Sequence, residues 1–114
     1  MEKLEALKKA RELIKDKKHW CDTYFARTAI GIPIPRHIQS TEAYSFCAIG
    51  ALLRVTGHGH QTLTGEHRAW LRPASLRLGY HDPADLNNNE GHEKTLEMFD
   101  LAICMEECNL EELV

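Results

Sequence analysis

The chain's 114 residues are enough for one domain with a modest core and no covalent staples. A net charge of -3 argues against a general nucleic-acid binder, which needs surplus Lys and Arg to displace counterions. No apolar run reaches bilayer-spanning length and the charged N-terminus has no signal-peptide core, so a cytoplasmic protein with four reduced cysteines is expected.

Leu4, Leu7, Ala10, Leu13 and Ile14 recur at helical spacing and predict a first helix over Glu2 to Lys18, its Lys-rich face in solvent. Trp20 is the expected anchor where this helix meets the core, because so large a ring is costly to leave wet. A short helix is expected over Asp22 to Ala29. The alternating Ile30, Ile32 and Ile34 then suggest an extended arm or small hairpin, restricted to an edge by Pro33 and Pro35.

The stretch from Ser40 to Gly57 reads as a central helix, apolar nearly all round and therefore buried on several sides. Ser40 or Thr41 would cap it and Gly57 would close it in a left-handed conformation. Beyond a loop, Thr64 would cap a short helix, Glu66 to Leu71, which Pro73 ends. A further turn, Ala74 to Leu78, stops at Gly79, and Asp82-Pro83 opens another. The Asn-rich segment Leu86 to Gly91 reads as a capping turn before a last long helix, Glu90 to Glu107. Leu96, Phe99, Ala102 and Ile103 are its main stripe, with Met98, Leu101 and Met105 beside it. These elements predict a compact all-α bundle over 1–114, three main helices plus short ones.

Charge is unevenly spread. Arg54, Arg68, Arg72 and Arg77 face only Glu66 across the middle of the chain, whereas residues 90–112 hold eight acids against Lys94. The plainer reading is solvated surface. The sharper one is an anion pocket in which Arg54, Arg68, Arg72 and Arg77 converge with His58, His60 and His67, since Arg forks suit phosphate or carboxylate groups.

Three other chemistries can be weighed. Cys47 with His92 is the candidate for thiol catalysis, but Cys47 falls more than a turn beyond the expected cap among apolar neighbours, a position for an inert buried thiol. Cys104 and Cys108 share a helix face, yet the chain has no Cys-x-x-Cys, so the pair is expected to pack against a neighbouring helix rather than hold zinc. No carboxylate is isolated in apolar surroundings for acid–base work. Neither metal nor cofactor is expected.

Trp20, Cys47-Ala48-Ile49-Gly50-Ala51, Leu86-Asn87-Asn88 and Phe99-Asp100-Leu101-Ala102-Ile103 together make a pattern spanning most of the chain. In it the sequence resembles a family of small domains of unknown function from bacteria and their phages. The resemblance implies a mainly helical fold and a phage-borne origin, and no activity. The motif residues also have a structural reading: Cys47, Gly50 and Ala51 allow tight helix packing, Asn87 and Asn88 cap, and Asp100 makes a buried polar tie to backbone or to Trp20.

The function expected is that of a small non-enzymatic binding or regulatory protein. It would act on a host protein partner or sequester an anionic small molecule. The alternative is a Cys/His hydrolase or transferase using Cys47. Self-association into a homo-oligomer through an exposed apolar face is a third reading.

Overall fold

Helix α1 runs over Lys3–Leu13 and buries Ala6, Leu7 and Ala10, three members of one helical stripe. The computed structural model describes residues 1–35, 37–58 and 65–112, with side chains through Cys108. The α1 helix ends earlier than its sequence suggests. Ile14 leaves helical geometry, and the Asp16 carboxylate accepts from the Lys18 N–H to cap a separate 3-10 turn, Lys17–His19. The vacated Ile14 carbonyl accepts from His92 Nε2 at 2.6 Å, so α1 closes on another helix rather than on its own continuation.

The next segment is extended, not helical. Strand β1 (Ala26–Arg27) pairs antiparallel with β2 (Ser45–Phe46), Ala26 opposite Phe46 and Arg27 opposite Ser45. Trp20 adds a parallel bridge to Phe46, and Pro33 an antiparallel bridge to Arg27. The arm is thus the outer limb of a small hairpin. Its turn is closed by Gly31 N–H on the Thr28 carbonyl (2.9 Å) and Thr28 N–H on the Ile32 carbonyl (2.9 Å), with Gly31 left-handed at φ 86°.

The central helix is shorter than its apolar run. Helix α2 covers Ala48–Val55, and the residues before it are turn and strand. Cys47 itself is the N-cap, its Sγ accepting from the Gly50 N–H at 3.3 Å. Ser40 and Thr41 cap nothing there. The burial expected of α2 holds: Ala48 through Leu53 are all buried. At its C-terminus His58 N–H reaches the Leu53 carbonyl and Gly57 N–H the Arg54 carbonyl, with Gly57 at φ 78°, a Schellman closure.

Helix α3 (Gly65–Arg77) passes through Pro73 without stopping. Leu71 and Ala74 lie on one buried face while Pro73 points outward, so a shared core holds the two halves in line despite the missing N–H. Gly79 closes it as Gly57 closes α2. The Asn-rich segment is also helical: α4 spans Pro83–Glu90, capped by the Asp82 side chain on the Ala84 N–H. Gly91, at φ 90°, separates it from α5, His92–Glu112.

The fold is therefore all-α apart from one two-stranded sheet. Phe99 and Met98 of α5, Leu7 and Ile14 from the first segment, and Ile49, Leu52 and Leu53 of α2 are all fully buried in one core. Each such side chain contributes about 1.5–3 kcal/mol by leaving water. Ile38, from the loop after the hairpin, joins them. Among the described residues no helix is long and apolar enough to cross a membrane.

Candidate functional site

The N-terminus of α2 is organised by a residue far along the chain. Asn87, fully buried on α4, accepts the Ala48 N–H at 3.0 Å and the Trp20 indole N–H at 2.8 Å on the same Oδ1. Its Nδ2 donates to the Cys21 carbonyl at 3.2 Å. Asn88 Oδ1 accepts the N–H of Thr23, a β-branched residue held at φ 70°. Both asparagines thus satisfy backbone donors, though of other segments and not as caps of their own helix. Trp20 is anchored as expected, packed against the core and tied at its polar tip.

Cys47 sits beside this junction at a helix N-terminus, a place that commonly favours thiolate. Burial decides otherwise. It pushes the Cys47 thiol up from 9.0 to about 12, overriding the Gly50 N–H that favours the charged form. His92 does not serve it: its Nε2 is committed to the Ile14 carbonyl and its ring lies 5.7 Å from that of Trp20. The arrangement is that of a structural cap, its sulfur accepting from the Gly50 N–H.

Gly50 has a specific reason to be glycine. A Cβ there would run into the carbonyl oxygen of Phe25, which already accepts the Cys47 N–H at 3.2 Å. Asp100 corrects the expectation made for it. It is exposed and takes a two-pronged contact from Arg11 of α1, at 2.8 and 3.4 Å, rather than a buried tie to Trp20. Lys3 likewise meets Glu106 at 3.2 Å, so part of the Lys-rich face of α1 is laid on the acidic face of α5.

The four arginines do not share one site: Arg68 and Arg72 reach the adjacent residues Asp82 and His81, and Arg54 and Arg77 lie elsewhere. Arg54 Nη1 donates to the Ile38 and Ser40 carbonyls, both at 2.7 Å, and its guanidinium lies over the Phe46 ring. Arg68 grips Asp82 at 2.8 Å and Arg72 donates to the His81 carbonyl. Arg77 faces α5 in a separate groove. His58 Nδ1 and His67 Nε2 both meet the Thr56 hydroxyl, at 2.9 and 3.0 Å, and His67 is buried. His60 and Thr64 lie outside the described residues. Three of the guanidinium groups thus already donate to a carbonyl or a carboxylate of the fold. Among the described residues no group of three or more His, Cys, Asp or Glu side chains is placed to hold a metal ion.

The open surface lies at the hairpin. Ile30 is 83 % exposed and Ile32 54 %, and with Thr28, Glu42, Ala43 and Tyr44 they line a shallow groove of about 470 Å³. Tyr44 is held from behind: its carbonyl meets His19 Nδ1 at 2.7 Å, and its N–H donates to the Arg27 carbonyl. Ile30 and Ile32 were legible as an alternating arm. The groove's other wall, residues 41–44, was hidden by the expectation that this stretch is helical.

A family model described as Family of unknown function (DUF6197) matches residues 1–104. The chain belongs to that family. The match takes in the Trp20 anchor, the Cys47–Ala51 helix start, Asn87, Asn88 and the Phe99–Ile103 stripe, and with them every contact of the α2 junction. No curated protein and no solved structure matches the chain. For this DUF6197 chain the motif residues thus serve scaffold roles. Its exposed apolar groove at the hairpin is the candidate site.

Proposed function

We propose that this DUF6197 chain is a small non-enzymatic binding or regulatory protein, phage-borne and cytoplasmic, that docks a protein partner on the hairpin groove. The observation that carries the reading is the exposure of Ile30 and Ile32 on a turn tied at both ends by backbone hydrogen bonds. A preformed apolar face loses little conformational freedom when it is covered. The Glu42 carboxylate on the rim supplies a charged edge that selects among apolar partners. A reducing compartment suits a chain whose cysteines form no disulfide.

The test uses a photo-crosslinking residue at position 30 or 32, with exposed Leu76 as the control position. A discrete crosslinked protein at 30 and 32, absent at 76 and lost in the Ile30→Asp/Ile32→Asp variant, supports the reading. Identical patterns at all three positions overturn it. A crosslinked species of twice the chain mass identifies the partner as a second copy.

A further inference from the structure

Cys104 and Cys108 do not pack into a neighbouring helix. Both are exposed on α5, and they line a groove of about 270 Å³ together with Leu101, Met105 and Arg77. Residues four apart on a helix have Cβ atoms about 5–6 Å apart and share a face. Metal–thiolate bonds of about 2.3 Å place the two sulfurs of a linear S–M–S unit about 4.6 Å apart, which side-chain rotation reaches from that spacing.

We infer that this groove binds one soft monovalent metal ion, of the copper(I) class, between the sulfurs of Cys104 and Cys108. Three features of the lining select that class. Two thiols without a third His, Cys, Asp or Glu ligand among the described residues leave tetrahedral zinc unfilled but complete a two-coordinate ion. The Met105 thioether adds a soft donor on the same wall, and thiolate with thioether favours copper(I) over harder ions. Arg77 supplies the counter-charge. The ion enters as M⁺, two thiols release two protons, and the resulting bis-thiolate unit carries one negative charge beside the guanidinium. Cys104 is the last of the matched residues 1–104, and Cys108 lies beyond them.

The experiment is an anaerobic competition of the full-length reduced protein against the chromophoric copper(I) chelator bicinchoninate. The expected result is withdrawal of one copper(I) per chain. Cys104→Ser and Cys108→Ser each abolish it, and Arg77→Ala weakens it about fivefold, the scale of one surface charge contact. Zinc should not compete at equal concentration. Alkylating the two exposed thiols of the native protein should block uptake equally, which keeps the test independent of how the serine variants fold. Equal uptake by wild type and by the Cys104→Ser/Cys108→Ser variant overturns the inference, as does equal binding of zinc.

Discussion

Asn87 and Ala48 are 39 positions apart, yet the side-chain oxygen of the first fixes the first helical N–H of the second at 3.0 Å. Helix α2 therefore begins where α4 tells it to begin. The same oxygen holds the Trp20 indole, and the amide nitrogen holds the Cys21 carbonyl, so one buried side chain locks three segments together.

Replacing Asn87 by Ala leaves two donors and one acceptor without their partner at a buried position. Each buried group left without a partner costs about 1–3 kcal/mol, so a loss of about 3 kcal/mol is expected in urea unfolding. Asn87→Asp should do no better. It keeps the acceptors, but it buries a charge and loses the donor to Cys21. A loss below about 0.5 kcal/mol, the range of an ordinary surface change, would remove Asn87 from the centre of the fold.

Gly50 offers a test by sign. Gly→Ala inside a helix ordinarily stabilises by about 1 kcal/mol. Here the new methyl would collide with the Phe25 carbonyl, so Gly50→Ala should destabilise by at least about 2 kcal/mol. Gly65, with nothing among the described residues within 4 Å of its would-be Cβ, is the control and should be neutral or gain stability. Parallel thermal melts of the two variants decide the matter: if both gain, the close approach is not there.

These two residues also show what the sequence could disclose. The stripes of α1 and α5 repeat within a few residues of themselves, and Gly57 and Gly79 end their helices by local backbone geometry, so all four were readable. The start of α2 was not. Its cap is the sulfur of Cys47, outside the usual Ser/Thr/Asp/Asn set, together with an asparagine, 39 positions from Ala48, that no local signal marks. Pro73 reads locally as a stop, but Leu71 and Ala74 bury on one face and carry the helix through it. Ala26 and Arg27, inside a stretch that reads as helix, are strand because Ser45 and Phe46 pair with them, a non-local fact. The hairpin groove inherits that difficulty, since one of its walls is made by the residues leading into β2.

The Arg11–Asp100 pair should contribute little at ordinary salt. Its carboxylate is 56 % exposed, and exposed pairs are worth about 0–1 kcal/mol. Asp100→Asn should cost less than about 1 kcal/mol in low salt and nothing measurable in 1 M salt, where the screening length falls to about 3 Å. A larger, salt-independent loss in denaturant titrations would mean that Asp100 is a core determinant after all.

Cys47 gives a pH signature. Unfolded, the thiol titrates near its ordinary 9.0; folded, burial holds it protonated to about 12. Between those values the native state binds a proton that the unfolded state has lost, so stability falls as pH rises. Below pH 9 the thiol is neutral in both states and contributes no slope. Above it one such group costs up to about 1.4 kcal/mol per pH unit, and Cys21, also raised by burial, adds in the same direction. Cys47→Ser should flatten the alkaline limb of a stability profile measured from pH 8 to 11. Native alkylation at pH 8 should follow the same logic, with the exposed Cys104 and Cys108 modified well before Cys47. If Cys47 instead reacts first and its removal leaves the alkaline limb unchanged, the sulfur is an accessible nucleophile and not a cap.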